Sequence, residues 1–202
     1  HLRAAGVQPS EIDTVLISHY HGDHINGLRN KAGVFNFPNA KVMVPTVEHA
    51  FWMDDARMAA APDAMKGAFQ TVRRMLGGLN DSQMVKFEAG TEIVPGIKSV
   101  AAYGHTPGHA NYVVESKGEK LMLWGDLMHL AAVQFDDPSA TIAFDTDNSA
   151  AQQQRAKAFE EAAKGGYMVG VTHVAFPGLG NLRPAANGKG YVWVPLNYSS
   201  LK

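Results

Sequence analysis

Short apolar runs bounded by turn residues alternate along this chain with longer stretches in which apolar positions recur at helical spacing. Residues 12–18 (Ile12, Asp13, Thr14, Val15, Leu16, Ile17, Ser18) predict a buried strand, and residues 19–26 the loop that leaves it. Lys41, Val42, Met43 and Val44 predict a second short strand closed by Pro45. Residues 46–60 predict one helix, and another begins near Pro62, a residue suited to a first helical position. In it Met65, Phe69, Val72 and Leu76 repeat at helical spacing until Gly77 and Gly78 stop the pattern. Strands follow at 84–88, 91–94 and 97–102. Residues 111–115 and 120–123 flank Ser116-Lys117-Gly118-Glu119, which has hairpin chemistry. A helix is predicted over 149–163, with Asn148 or Ser149 as its cap and Gly165-Gly166 as its stop. A strand at 167–172, a Gly/Pro-rich loop from 176 to 190 and a last strand at 191–195 complete the order.

Many short strands with helices on the connections predict an α/β or α+β layered fold and exclude a helical bundle or a pure sandwich. No internal repeat, low-complexity tract or linker divides the 202 residues, so a single domain over 1–202 is expected. Apolar residues make up 46% of the chain and charged residues 18%, enough to bury a core. Eighteen Lys and Arg against 19 Asp and Glu leave a formal charge of −1. That balance offers no basic surplus for nucleic acid and no polybasic patch for a membrane surface, and no apolar run reaches the ~18 residues of a span. A small-molecule substrate is the expected partner. The first residue is His1, and the chain enters its first strand almost at once. An N-terminal portion is therefore expected upstream, together with any signal that would separate a periplasmic from a cytoplasmic location.

The chemistry concentrates in nine histidines beside a complete absence of cysteine. Without Cys there is no disulfide framework, thiolate nucleophile, Fe–S cluster or Cys-ligated zinc. Ser18-His19-Tyr20-His21-Gly22-Asp23-His24 follows an apolar strand directly. In extended backbone His19 and His21 point to one side, and Gly22 lets the chain turn so that Asp23 and His24 face the same space. Imidazole and carboxylate are ligands for Zn²⁺ and its neighbours, and four of them on so short a loop imply a cation between them. Three more strand ends carry such groups: Gly104-His105-Thr106-Pro107-Gly108-His109, Trp124-Gly125-Asp126 and Thr172-His173. Each alone is a weak signal; ligands from four strand ends converge naturally on one rim of a sheet.

On these motifs, in this order along the chain, the sequence resembles the metallo-β-lactamase-fold hydrolases, with the His-x-His-x-Asp-His signature intact. The resemblance implies an αββα sandwich, lacking its first strands here, with two divalent metal ions at one edge. It implies His19, His21 and His105 on one metal, Asp23, His24 and His173 on the other, and Asp126 bridging both. It makes His109 a supporting group beside the ligands. Zinc is the first expectation for the metal, and Mn, Fe or Co ligate equally well to His and Asp. The implied reaction is hydrolysis by a hydroxide that the two metals share, with Asp23 helping to orient it. Asp126 stands where Cys-ligated members of the fold carry their sulfur ligand, which turns the expectation away from those enzymes.

Finer resemblance, in residues 131–138, the end of the helix at 157–166, Phe176-Pro177-Gly178 and Gly188-Lys189-Gly190-Tyr191, points to the methyl parathion hydrolase branch and its dihydrocoumarin-type lactonase and arylesterase relatives. It implies a homodimer. It also implies a pocket lined by His129, Ile142 and Phe144, in which His129 steadies the carbonyl or the leaving phenolate. Trp52, Phe51 and Phe69 are candidates for an aromatic wall suited to flat substrates. Phe51 and Trp52 are neighbours on a helix, so one of the two is expected to face a pocket or an interface; Phe69 also fits the core stripe of its own helix. His49 and His1 read as ordinary surface residues. The expected activity is lactone and aryl-ester hydrolysis with side activity on organophosphate triesters. A dedicated organophosphate hydrolase, a glyoxalase II-like thioesterase, a nuclease, a di-iron oxygen-reducing protein and a non-catalytic metal-binding module remain as alternatives.

Overall fold

In the computed structural model, residues 2–197 are described, and His1 lies outside them. The chain divides into two compact units, the first ending at Glu88 and the second beginning at Ala89.

The first unit is built on a parallel sheet of three strands, β1 (Thr14–Leu16), β2 (Lys41–Pro45) and β3 (Met84–Phe87), in that order. Thr14 pairs with Lys41 and Leu16 with Met43, while Val42 pairs with Met84 and Pro45 with Phe87. Parallel strands need crossovers, and helices supply them: α1 (Gly22–Ile25), α2 (Thr46–Trp52), α3 (Asp55–Ala60) and α4 (Asp63–Leu76). Phe69, Val72, Met75 and Leu76 of α4 are buried with Val42, Val44, Ile17, Ile25, Leu28 and Trp52 in one apolar cluster. The single helix expected over 46–60 is two. Asp54 interrupts it, because its carboxylate accepts the Arg57 amide at 2.9 Å and caps α3 instead of continuing α2.

The second unit carries a seven-stranded sheet, ordered β10-β9-β8-β7-β6-β5-β4. Its strands are β4 (Glu92–Val94), β5 (Ile97–Ala101), β6 (Ala110–Ser116), β7 (Glu119–Leu123), β8 (Met168–Gly170), β9 (Leu179–Pro184) and β10 (Tyr191–Pro195). The β6–β7 hairpin turns through Lys117 and Gly118, both at positive φ, as its sequence predicts. β7 and β8 run parallel, and every other pairing in this sheet is antiparallel. β5, β7 and β8 therefore point the same way, and the chain leaves all three at one edge.

Helix α5 (Ala131–Gln134) and the long helix α6 (Asn148–Gly165) lie on the connection between β7 and β8. The cap of α6 is Asp147, one residue ahead of the two expected, with its carboxylate accepting the Ala150 amide at 2.9 Å. Gly166 ends the helix in the left-handed conformation. Ala151, Arg155, Ala158, Phe159 and Ala162 form its buried stripe at helical spacing. Phe159 stacks on Trp124 at 5.1 Å between ring centroids and meets Phe135 at 5.4 Å, at the centre of this unit's core. β9 falls inside the stretch expected to be a loop.

Candidate metal centre

In the first unit, β1 leads straight into the histidine loop, with the Ile17 amide still donating to the Met43 carbonyl. Tyr20 is buried in the core at 1% exposure, and its neighbour His19 is wholly buried beside it. The wholly buried carboxylate of Glu48, on α2, holds this loop from behind. Its Oε1 accepts the Tyr20 backbone amide at 2.9 Å and the Trp52 indole N–H at 2.8 Å. His21 is extended and caps α1, which carries Asp23 and His24 round the turn at Gly22. The ring of His19 lies 4.9 Å from that of His21 and 4.1 Å from that of His24, and His24 Nε2 is 3.3 Å from Asp23 Oδ2.

In the second unit the common edge of β5, β7 and β8 presents the other groups. Asp126 follows β7 and His173 follows β8, and the parallel register sets them side by side. Trp124 donates to the Gly170 carbonyl at 2.9 Å, and Thr172 Oγ1 donates to the Gly125 carbonyl at 3.0 Å. Three imidazoles surround the buried Asp126 carboxylate. Nε2 of His105 is 3.3 Å away, that of His129 3.0 Å and that of His173 3.2 Å. His129 and His173 stack at 4.9 Å. His109 lies beneath: its Nε2 accepts the Asp126 amide at 3.0 Å, so its Nδ1 carries the proton and donates to the Ala102 carbonyl at 3.1 Å.

His105 is further constrained by Asp145, whose Oδ1 accepts its Nδ1–H at 2.9 Å. Burial pulls the His105 imidazole toward neutrality, but the bonds to Asp126 and Asp145 outweigh it and the net shift is upward. Burial pushes the Asp145 carboxyl up, while the hydrogen bonds from His105 and the Ile142 amide, with the charges of His105 and Arg155, bring it below the ordinary range. With its proton on Nδ1, a neutral His105 turns a lone pair toward the Asp126 carboxylate. Two acceptors at that distance repel unless a proton or a metal ion lies between them. The donors on this edge therefore fit a divalent cation, and so does the crowd of imidazoles around His19. His19, His21, Asp23, His24, His105, Asp126 and His173 are all candidate metal ligands.

A profile of the metallo-beta-lactamase superfamily matches residues 1–173. The chain belongs to the metallo-beta-lactamase superfamily. A crystal structure of AbOPH, described as a hydrolase in the beta lactamase superfamily, is similar at 35% identity with a TM-score of 0.91, over 98% of this chain and 69% of that one. A second is AidC, a dizinc quorum-quenching lactonase bound to an N-acyl-homoserine product, at 27% identity and a TM-score of 0.88, over the same two shares. The endoribonuclease ysh1 of Schizosaccharomyces pombe is 27% identical over 155 residues, 72% of this chain. The chain spans only 20% of that protein's length.

Within this superfamily chain, Trp52, Phe51 and His49 pack otherwise than expected. Trp52 and Phe69, candidates for a pocket wall, are each 1% exposed and sit in the apolar cluster of the first unit. Both Phe51 and Trp52 reach Phe69, at 5.7 and 4.7 Å. Two neighbouring rings at the end of a short helix can converge on a third ring from α4, so neither has to face a pocket. The Trp52 ring also meets the His21 ring edge-on at 6.0 Å, which makes it packing behind the loop. His49 is half-buried, not an ordinary surface residue, because its Nδ1 is hydrogen-bonded to the Tyr20 hydroxyl at 3.0 Å. Ile142 is half-buried and Phe144 is 73% exposed.

Glu48, Asp145, Arg155 and Gln134 escaped the reading of the sequence. Arg155 left a signal, being the charged residue on the otherwise Ala- and Phe-lined stripe of α6. Gln134, 1% exposed, accepts the His129 and Leu130 amides on Oε1 and donates to the Ala140 carbonyl, fixing the backbone that carries His129.

Proposed function

We propose that this chain acts as a two-metal hydrolase of lactones and aryl esters, in the branch that resembles methyl parathion hydrolase and the dihydrocoumarin-type lactonases. His19, His21 and His105 would hold one ion and Asp23, His24 and His173 the other, with Asp126 shared. The observation that carries this reading is the Asp126 carboxylate with three imidazole nitrogens at 3.0–3.3 Å. Two divalent ions bound there would supply an activated water and a Lewis acid for a scissile carbonyl. Similarity to a dizinc lactonase supports this substrate class.

The chain's own groups would do the rest. His129, at 3.0 Å from Asp126, can hold a proton for the leaving oxygen. Ile142 and the exposed Phe144 offer apolar surface to an aryl ring. The near balance of charges favours a neutral substrate over a polyanion and disfavours the nuclease reading.

The decisive experiment loads the protein with Zn²⁺ or Mn²⁺, counts bound metal, and compares kcat/KM on dihydrocoumarin, acyl-homoserine lactones, aryl esters and phosphotriesters. Two ions per chain and the highest kcat/KM on lactones or aryl esters are expected. Fewer than one ion per chain with metal in excess would sink the reading, and a strong preference for phosphotriesters would replace the substrate. His129→Leu should lower lactone turnover at unchanged metal content; unchanged turnover removes its assigned role.

A further inference from the structure

We propose that Asp145 is a positioning residue for metal binding, holding His105 in the tautomer that leaves Nε2 as a ligand atom, and that Arg155 pins Asp145 from helix α6. The inference rests on reading His105 as a metal ligand and adds residues which that reading does not use.

The geometry is continuous from the helix to the imidazole. Asp145 Oδ1 accepts the His105 Nδ1–H at 2.9 Å, and its other oxygen receives the Ile142 amide at 3.3 Å and lies 3.6 Å from Arg155 Nη2. The side chains of Asp145 and Arg155 are 0% and 1% exposed. A carboxylate this deep is not reoriented by water. Arg155 is itself immobilised: Nε donates to the Leu127 carbonyl at 2.9 Å, and Nη1 to the carbonyls of Pro138 and Ala140 at 2.9 and 2.6 Å. One planar guanidinium thus ties the segment beside Asp126 to the segment that delivers Asp145. The backbone closes the same path, since the Thr146 amide donates to the His105 carbonyl and the Asp147 amide to that of Gly104. A carboxylate on the far nitrogen of a ligating imidazole fixes its tautomer and raises its basicity, and losing such a partner typically weakens metal binding about 10–100-fold.

The test compares Asp145→Asn and Asp145→Ala with the unaltered protein by chelator competition for Zn²⁺, with unfolding midpoints measured in parallel. The Nδ1 proton of His105 is followed by nitrogen-15 NMR of the zinc-loaded protein. Asn keeps an acceptor without the charge and should weaken zinc binding about tenfold, and Ala about a hundredfold. The His105 Nδ1 proton should persist in the Asn variant and exchange rapidly in the Ala variant. Should Asp145→Ala not fold, the Asn variant decides alone. Zinc affinity within twofold of the unaltered protein, or a His105 without a proton on Nδ1, would overturn the proposal while leaving the two-metal reading intact. An unaltered protein that binds no zinc would overturn both.

Discussion

The backbone amide of Asp126 donates to Nε2 of His109, 17 residues earlier and wholly buried, at 3.0 Å. An amide can only donate, so this bond fixes the neutral tautomer of His109 and sends its Nδ1–H to the Ala102 carbonyl. The ring thereby bolts the end of β7 to the end of β5, the two strands that deliver Asp126 and His105. His109→Ala strips both groups of these bonds inside the protein, at about 1–3 kcal/mol for each. Urea denaturation should show the loss, and metal affinity should fall with it. A His109→Ala protein within ~0.5 kcal/mol of the unaltered one, the ordinary range of a surface substitution, would show that the bolt is unimportant.

Glu48 plays the corresponding part in the first unit. Its Oε1 accepts from the Tyr20 amide and the Trp52 indole, and Tyr20 stands between two candidate ligands. Glu48→Ala would deprive two buried donors of that oxygen, whereas Glu48→Gln keeps a carbonyl oxygen to receive them. The expected order of thermal midpoints is therefore unaltered, then Gln, then Ala, with Ala destabilised by about 2–4 kcal/mol. Equal midpoints for Gln and Ala would mean that the charge, not the acceptor, matters at this site.

How much of this was legible in the sequence follows from how local each feature is. Strand ends bearing His105, Asp126 and His173 could be read because an apolar run and the residue after it are neighbours in the chain. The stop at Gly166 and the turn at Lys117-Gly118 are likewise local backbone chemistry. Glu48 and Asp145 act on partners 28 and 40 residues away, and no local pattern distinguishes such a carboxylate from a solvated one or a helix cap. β9 was hidden for a different reason. Its Gly180 reads as a loop residue, yet a Cβ there would lie 2.4 Å from the Val194 carbonyl oxygen and 2.8 Å from the Trp193 ring. Close approach of β10 requires the glycine that disguises the strand.

Phe159 should be the costliest single truncation in the second unit. It is fully buried, stacks on Trp124 and meets Phe135 and Tyr191 at 5.4 and 5.5 Å. Removing the ring leaves a cavity among rigid aromatic neighbours that cannot collapse to fill it, and such Phe→Ala changes lose about 3–5 kcal/mol. Urea unfolding should show that loss for Phe159→Ala, and a smaller one for Phe159→Leu, which keeps much of the volume. A loss below ~1 kcal/mol for Ala would mean that the core relaxes far more than its packing suggests.

Gly104 links the fold to the site most tightly. It has φ of +135°, and a Cβ on it would lie 2.2 Å from the Ala151 backbone nitrogen and 2.7 Å from the Ala151 Cα. The obstruction is the first turn of α6, which cannot move aside as a flexible side chain could. Gly104 carries the carbonyl that accepts both the Asp147 amide and the Thr146 hydroxyl, so its docking sets where the adjacent His105 stands relative to Asp145. Gly104→Ala must therefore push the 103–105 segment off the helix or unwind the helix start. The variant should lose stability by several kcal/mol, and where it still folds its zinc affinity should drop at least as far as that of Asp145→Asn. Gly118, also at positive φ, supplies the control, because a Cβ on it would meet no atom within 4 Å. Gly118→Ala should lose only the backbone-strain component, about 1–2 kcal/mol, and leave zinc binding unchanged. Equal effects of the two substitutions on zinc affinity would show that the contact with α6 does not position His105.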